Sequence, residues 1–404
     1  MKRIALLLMI MSLFLTGCSV FLFEAENEHL GQIYDGSEYE EFIQEQRETD
    51  MPAWEGADHF YYQQLGEDEK RVYNTLLKHA CDFEEDEAEI RIEDISEKSF
   101  YKVHYALLYD HPEYFWLSKF EAKTLNGRLY SVTYTGMSEY QHVYEQLSQI
   151  GDRIVNDIPS EYCTYEKIKY IYDYIVQSTD YVEYAKYSQD IRSVLLYKQS
   201  VCAGYAGTFK FLCDKTGIPC IYVSGTVDGV GHAWNMVQIG EEYYWVDATW
   251  GEASYGNGDS SRWNYHYLCA TDEELFTTHI LNEGVQLEGY YESNVFTFPK
   301  CEDGSYNYYR LNKCYFETYD RDEVEAYLAG KLQSGQYTGI DMQFADAKGY
   351  EMAKQDLFGD DTKEGRIGKM IVRNLPKTGW KDIHYSYICD EHANFLSVDI
   401  FERE

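Results

Sequence analysis

Residues 199–220 read QSVCAGYAGTFKFLCDKTGIPC and contain three cysteines. Ser200 is a suitable N-cap, so the sequence predicts a helix over residues 201–215. Gly217 can end that helix in the left-handed conformation, and a proline two residues later cannot continue it. This helix is the starting point for the fold prediction. Its geometry limits which of the three cysteines can form a disulfide, bind a metal or act as a nucleophile.

The three cysteines do not form a disulfide framework. Cys202 and Cys213 lie on one face of the helix, but at 1.5 Å rise per residue they are roughly 16 Å apart. A disulfide needs Cα atoms within about 7 Å, so this pair cannot form while the helix exists. Cys213 and Cys220 read as core residues, with a disulfide between them left open. The spacings also differ from the paired knuckles of zinc sites.

Cys202 differs from the other two because it falls in the first turn of the helix. The positive end of the helix dipole lowers the pKa of a thiol there, which makes it a better nucleophile. Such a nucleophile also needs a base and a group that orients the base.

Two later strands supply both groups. His232 lies in GHAWN and Asp247 in YYWVDATW, and a two-residue loop at Gly240–Glu241 predicts a type II′ hairpin between them. In that register Trp234 opposes Asp247, and His232 and Asp247 become diagonal neighbours on one face of the sheet. Their Cα atoms would lie roughly 7–8 Å apart, within reach of a side-chain hydrogen bond.

These blocks together resemble the core of the transglutaminase-like superfamily of cysteine acyl-transfer enzymes and peptidases. The resemblance spans about residues 164–279, with Cys, His and Asp in the family's order, and YLCATDEELFTTH extends it beyond the core. It implies that Cys202 is the nucleophile, that His232 exchanges protons with it, and that Asp247 orients the imidazole. The backbone N–H of Cys202 would meet the oxyanion.

Four further residues are candidates for the site. The second oxyanion donor is predicted to be Tyr197 or Gln199. Trp234 and Trp250 would wall the cleft or, equally, serve as core aromatics. The remaining histidines of this region are interpreted as structural. The sequence shows no metal-ligand cluster, and no cofactor is predicted.

The N-terminus predicts export. Lys2 and Arg3 precede the apolar run IALLLMIMSLFL, which is too short to span a bilayer and fits a signal peptide. The following LTGC resembles the lipobox of bacterial lipoproteins, in which the cysteine, here Cys18, carries a diacylglycerol. The alternative is an ordinary signal peptide with a chance cysteine. The expected location is the extracytoplasmic face of a bacterial cell membrane, reached through a lipid anchor.

The net charge of the chain argues against one class of binding partner. The chain has 70 acidic and 35 basic residues, a net charge of −35. Such a surface repels nucleic acid, so no nucleic-acid partner is predicted. Hydrophobic residues make up 45% of the chain, which indicates a globular protein.

The predicted fold class is α+β. A papain/transglutaminase-like core, in which a cysteine-bearing helix packs on an antiparallel sheet, would be flanked by smaller α+β regions. The predicted divisions comprise a signal peptide, an acidic tether, an N-terminal region, the catalytic core and a C-terminal region, at residues 1–17, 18–58, 59–158, 159–291 and 292–404.

Three functional hypotheses follow. The first is an extracellular, lipid-anchored cysteine enzyme that acts on amide bonds of protein or cell-wall peptide through an acyl-thioester, as a peptidase, amidase or transglutaminase. The second is a catalytically silent module that binds cell-wall peptide or glycan. The third is a structural lipoprotein with an accidental motif.

Overall fold

The computed structural model describes residues 59–80, 89–118, 120–125, 128–134, 137–251, 263–282, 285–287, 290–292, 295–360, 363–375 and 382–402. The predicted signal peptide, Cys18 and the acidic tether lie outside these residues. None of the described helices is long and apolar enough to cross a membrane.

The α-helices of the described residues carry the labels α1 to α11 in chain order. They are Phe60–Gln63, Glu67–Ala80, Glu97–Asp110, Met137–Asn156, Thr164–Ser178, Cys202–Thr216, Asp272–Leu275, Tyr308–Leu311, Arg321–Gln333, Ala347–Phe358 and Ile367–Asn374.

The strands of the described residues carry the labels β1 to β18. They are Glu89–Ser96, Phe120–Leu125, Arg128–Tyr134, Asp180–Tyr181, Gln199–Ser200, Cys220–Val227, Val230–Ile239, Glu242–Val246, Leu268–Ala270, His279–Leu281, Val285–Leu287, Tyr290–Glu292, Tyr315–Phe316, Ile340–Phe344, Gly359–Asp360, Lys363–Glu364, Ile383–Asp390 and Phe395–Glu402.

The predicted cysteine helix is α6, and its boundary differs by one residue from the prediction. It begins at Cys202 with Val201 as N-cap, and Gly217 ends it in the left-handed conformation with φ of 72°. Ser200 is not the N-cap, because its hydroxyl is engaged with Ser193 at 2.6 Å. Helix α5 begins at Thr164, with Cys163 as its N-cap.

A five-stranded antiparallel sheet carries the cysteine helix. Its strand order is β10-β6-β7-β8-β9, and α6 packs against β6 and β7. The predicted hairpin register is confirmed, because Asn235 pairs with Val246 and Ile239 with Glu242 across the Gly240–Glu241 loop. Gly240 has φ of 65° while Glu241 has a negative φ, as a type II′ turn requires.

The N-terminal region packs directly on this sheet. Its own three-stranded sheet has the order β1-β3-β2, in which β2 and β3 pair antiparallel. The hydroxyl of Tyr61 donates to the Tyr222 carbonyl at 2.6 Å, and the ring of Tyr109 stacks on Tyr222 at 5.0 Å. One hydrophobic core therefore runs from the N-terminal helices into the cysteine helix.

The C-terminal region has a separate core. Its four-stranded sheet has the order β13-β14-β18-β17, with buried residues from Phe316 to Ile400 between the sheet and helices α9 to α11. Within this sheet β17 pairs antiparallel with β18. The predicted site residues are not part of this second core and lie around the five-stranded sheet and the cysteine helix.

Candidate active site

Cys202 is the first residue of the cysteine helix. The N-cap Val201 provides no side-chain hydrogen bond to the first turn. The Cys202 side chain packs against Ala206 of the same helix and Ala233 of strand β7, and it is 2% exposed. A buried sulfur at a helix N-terminus lies in the positive field of the helix dipole.

The segment before Cys202 is held by a pair of serines. Ser193 donates to the carbonyl of Asp190 at 2.7 Å and lies 2.6 Å from the hydroxyl of Ser200. Gly204 makes this contact with the helix possible, because a Cβ at that position would lie 2.1 Å and 2.4 Å from the two serine oxygens. The glycine of CAG thus allows the loop to pack on the first helical turn.

The structure holds Cys202 in a disulfide. The other cysteines among the described residues, from Cys163 to Cys389, are all free thiols. A sulfur in a disulfide cannot act as a nucleophile, and it must first be reduced to a thiolate.

His232 and Asp247 meet as the strand register predicts. The Nε2 atom of His232 lies 2.7 Å from Oδ2 of Asp247. His232 is 9% exposed and Asp247 is fully buried. The other oxygen of Asp247, Oδ1, accepts the backbone N–H of Thr249 at 2.8 Å, so both ends of the carboxylate are fixed.

The carboxyl group of Asp247 is ionised. Burial alone would raise its pKa, but the charges and hydrogen bonds of His232 and then of His279 outweigh burial and hold the pKa well below its ordinary value. The site therefore contains a buried negative charge beside the imidazole of His232.

His279 is a site residue that the sequence interpretation missed. Its Nε2 atom lies 3.1 Å from Oδ2 of Asp247, the same oxygen that His232 contacts. His266 and His279 were both expected to be structural, and the structure places His279 in a three-residue edge strand. Only the pairing of β10 with β6, opposite Val227, places it there.

The same three side chains correct the expectation that no metal-ligand cluster exists. Ligand atoms of His232, Asp247 and His279 lie within 4.8 Å of one another, close enough to hold a metal ion. The two hydrogen bonds to Asp247 already account for this arrangement, because each imidazole directs its Nε2 at the carboxylate.

The two predicted tryptophans occupy different environments. Trp234 is fully buried, with its ring 5.8 Å from His232 and 4.9 Å from His279. It therefore packs behind the histidines as a core aromatic. Trp250 is half-buried, and its ring lies 6.4 Å from His232. Of the two, Trp250 is the one placed to border a cleft.

The two predicted oxyanion residues precede Cys202 on the surface. Tyr197 is 41% exposed, and its hydroxyl accepts from Lys186 at 3.1 Å. Gln199 is exposed in the short strand β5, where it pairs with Asp180. The oxyanion role of both residues stays a prediction.

Asn235, the last residue of GHAWN, ties the helix to the sheet. Its side-chain amide donates to the carbonyl of Ala206 at 3.0 Å, joining strand β7 to the cysteine helix. Because His232 and Asn235 belong to one strand, this bond helps to set where the imidazole stands relative to Cys202.

The comparisons with known proteins agree with this geometry. Residues 148–249 match the family model described as the transglutaminase-like superfamily, and this range contains Cys202, His232 and Asp247. The chain therefore contains a transglutaminase-like domain with the predicted α+β fold class.

Among curated proteins, the chain is similar to the kyphoscoliosis peptidase of Mus musculus and of Homo sapiens. The identities are 27% and 29% over 146 residues, which cover 32% of this chain and 21% of each relative. The chain thus matches about a fifth of those proteins' length.

Two solved structures also show similarity. A structure described as a TGase is 18% identical with a TM-score of 0.25, over 33% of this chain and 44% of that one. A candidate cysteine protease from Cytophaga hutchinsonii is 23% identical with a TM-score of 0.23, over 26% of this chain and 37% of that one.

Proposed function

We propose that this protein is a cysteine-dependent enzyme that acts on amide bonds through an acyl-thioester, with Cys202, His232 and Asp247 as its catalytic triad. The observation that carries the proposal is the 2.7 Å hydrogen bond between His232 and a buried, ionised Asp247, on the strands that face the helix tip bearing Cys202.

The chemistry proceeds in two stages. The thiolate of Cys202 adds to the amide carbonyl, and the C–N bond breaks as His232 protonates the leaving amine. Water or a second amine then attacks the thioester, His232 accepts its proton, and the Cys202 thiolate leaves. Because Nε2 of His232 is bonded to Asp247, Nδ1 is the nitrogen that exchanges the proton.

Backbone groups would stabilise the intermediate. The first-turn N–H groups of the cysteine helix point along the dipole toward the reacting centre, and the Cys202 N–H would donate to the oxyanion. Either Tyr197 or Gln199 would supply the second donor.

We further propose that the protein acts on protein or cell-wall peptides at the extracytoplasmic face of a bacterial membrane, to which Cys18 anchors it. The apolar N-terminal run, the LTGC motif and the net charge of −35 support this location. The kyphoscoliosis peptidases and the Cytophaga protein, as their names describe them, support hydrolysis as the first activity to test.

One observation favours a second function. A disulfide at Cys202 removes the nucleophile, as expected of a module that binds cell-wall peptide or glycan without turnover. Reduction separates the two hypotheses, because an enzyme regains its thiolate and a silent module gains no activity.

The test uses the full chain with and without reductant. It is incubated with peptidoglycan fragments, and separately with a glutamine-donor peptide plus a primary amine, and the products are measured by mass spectrometry. The proposal predicts a mass change after reduction that is lost in Cys202→Ala and kept in Cys213→Ala. Binding without any mass change in the reduced wild type would refute the enzymatic function.

A further inference from the structure

One carboxylate oxygen of Asp247, Oδ2, is contacted by two histidines. His232 Nε2 lies at 2.7 Å and His279 Nε2 at 3.1 Å from Oδ2. The triad scheme uses only the first of these contacts, which leaves the second imidazole without an assigned role. His279 is 1% exposed, so its contact is made without water.

The neighbours of His279 define which nitrogen carries its proton. The Thr278 hydroxyl lies 2.8 Å from Nδ1 of His279 and 3.4 Å from the carbonyl of Leu275, and the Tyr267 hydroxyl lies 2.8 Å from the Thr278 hydroxyl. If Nε2 were unprotonated, its lone pair would face a carboxylate, which is repulsive. Nε2 therefore bears a proton and donates to Asp247, and the Thr278 hydroxyl forms a hydrogen bond with Nδ1.

Three aromatic side chains surround the ring of His279. It lies edge-on to Trp234 at 4.9 Å and to Tyr267 at 5.0 Å, and 5.4 Å from Trp250. An imidazole packed among three aromatic rings cannot follow Asp247 if the carboxylate rotates, so it acts as a fixed donor.

With His279 in place, every strong acceptor position of Asp247 is filled. Oδ1 accepts the N–H of Thr249 at 2.8 Å, and Oδ2 accepts both histidines. A carboxylate restrained at both oxygens keeps one orientation, and the imidazole bonded to it is restrained in turn.

We propose that His279 is a positioning residue of the active site: by donating to Oδ2 of Asp247 it holds the carboxylate, and through it the imidazole of His232, in the orientation that activates Cys202. This inference deepens the proposed function and rests on it.

Three titratable groups near the site, His266, Tyr267 and Tyr181, stay neutral between pH 5 and pH 9. Burial, and then the nearby charge of His279, lower the pKa of His266 to about 3. Burial raises the pKa of Tyr267, and burial together with Glu183 and Asp247 raises that of Tyr181. These three groups therefore add no change of charge to the pH profile of Cys202 reactivity in this interval.

The test measures the rate of Cys202 alkylation by iodoacetamide from pH 5 to pH 9 in the reduced full chain, followed by peptide mass spectrometry. His279→Phe keeps a ring but removes the donor, and His279→Gln keeps an N–H that can reach Asp247. We expect His279→Phe to lower the rate at pH 7 by roughly 10-fold to 100-fold and to move the midpoint of the profile upward. His279→Gln should restore the rate to within about threefold.

Two further variants keep the test decisive. Thr278→Val removes the hydroxyl that contacts Nδ1 of His279 and should shift the profile in the same direction, even if His279→Phe does not fold. His266→Gln replaces a buried histidine that Gln343, not Asp247, contacts, and should leave the profile unchanged. An unchanged profile in folded His279→Phe and in Thr278→Val overturns the inference, and so does a His279→Gln variant as slow as His279→Phe.

Alkylation needs no substrate, so failure of this inference and failure of the proposed function are distinguishable. A wild type that turns over no amide but shows the His279-dependent profile refutes the enzymatic function and supports the positioning role. A wild type that turns over its substrate equally well in His279→Phe refutes the positioning role alone.

Discussion

The two ends of the cysteine helix bury the same kind of side chain in opposite environments. Cys202, at the N-terminal end, lies beside Ala233, the neighbour of His232. Cys213 is fully buried in the main hydrophobic core, where burial and then its hydrogen bond with Cys220 raise the pKa of its thiol. Burial alone does not make a reactive cysteine, and under the proposed function the imidazole of His232 with the carboxylate of Asp247 would make the difference.

The same contrast holds for buried histidines. His232 and His279 share an ionised carboxylate, whereas His104 is buried beside Tyr134 and aromatic rings with no charged group among the causes of its shift. Its pKa is lowered to about 3 by burial. A buried imidazole with no charged partner thus favours its neutral form.

The largest effect should come from removing the charge of Asp247. Asp247→Asn leaves a group of similar shape that no longer stabilises the imidazolium of His232, so turnover should fall roughly 10³-fold. The matched control is Asp214→Asn near the other end of the helix, where the carboxylate pairs with Lys210 at 2.9 Å. Turnover that falls equally in both variants would show a general loss of structure and contradict the assigned role.

A smaller effect is expected from the pH dependence of stability. His104 is neutral in the folded chain down to about pH 3, but its pKa in the unfolded chain is about 6.5. Below pH 6.5 the unfolded state binds the additional proton, so the free energy of unfolding falls as pH drops toward 3. This loss is about 2 kcal/mol at pH 5 for one such histidine.

Urea denaturation of wild type and His104→Phe between pH 7.5 and pH 4 measures this contribution. The variant removes the titrating group and keeps a ring among Phe100 and Phe120. Its stability should fall less steeply with acid than that of wild type. Parallel curves would mean that folding leaves the pKa of His104 unchanged, which would contradict this account.

The smallest effect should come from Cys213 itself. Cys213→Ala removes one buried sulfur from the core and should cost about 1 kcal/mol of unfolding free energy, with turnover within about threefold of wild type. Chemical denaturation and the turnover assay check both values. A large loss of turnover without loss of stability would give Cys213 a catalytic role that this account does not contain.

Much of the site follows from local rules of sequence. The two-residue loop at Gly240–Glu241 fixes the hairpin register, and the register brings His232 and Asp247 together. The helix boundaries follow, to within a residue, from Gly217 and from the apolar positions of the helix. These features depend on neighbours within about twenty residues of chain.

What the sequence did not predict depends on distant contacts. His279 reaches Asp247 only because the three-residue strand β10 pairs with β6, and such a short strand has no readable period. Ser200 was mistaken for the N-cap because its real partner, Ser193, lies in a preceding turn.

The most direct test of the central claim is the relative alkylation rate of the cysteines on one helix. The reduced chain is treated with limiting iodoacetamide at pH 7, and the label at Cys202, Cys213 and the exposed Cys163 is followed by mass spectrometry over time. The account predicts that Cys202 reacts much faster than Cys213 and at least as fast as Cys163, and that His232→Ala abolishes this advantage. A Cys202 that reacts no faster than Cys213 would contradict the account.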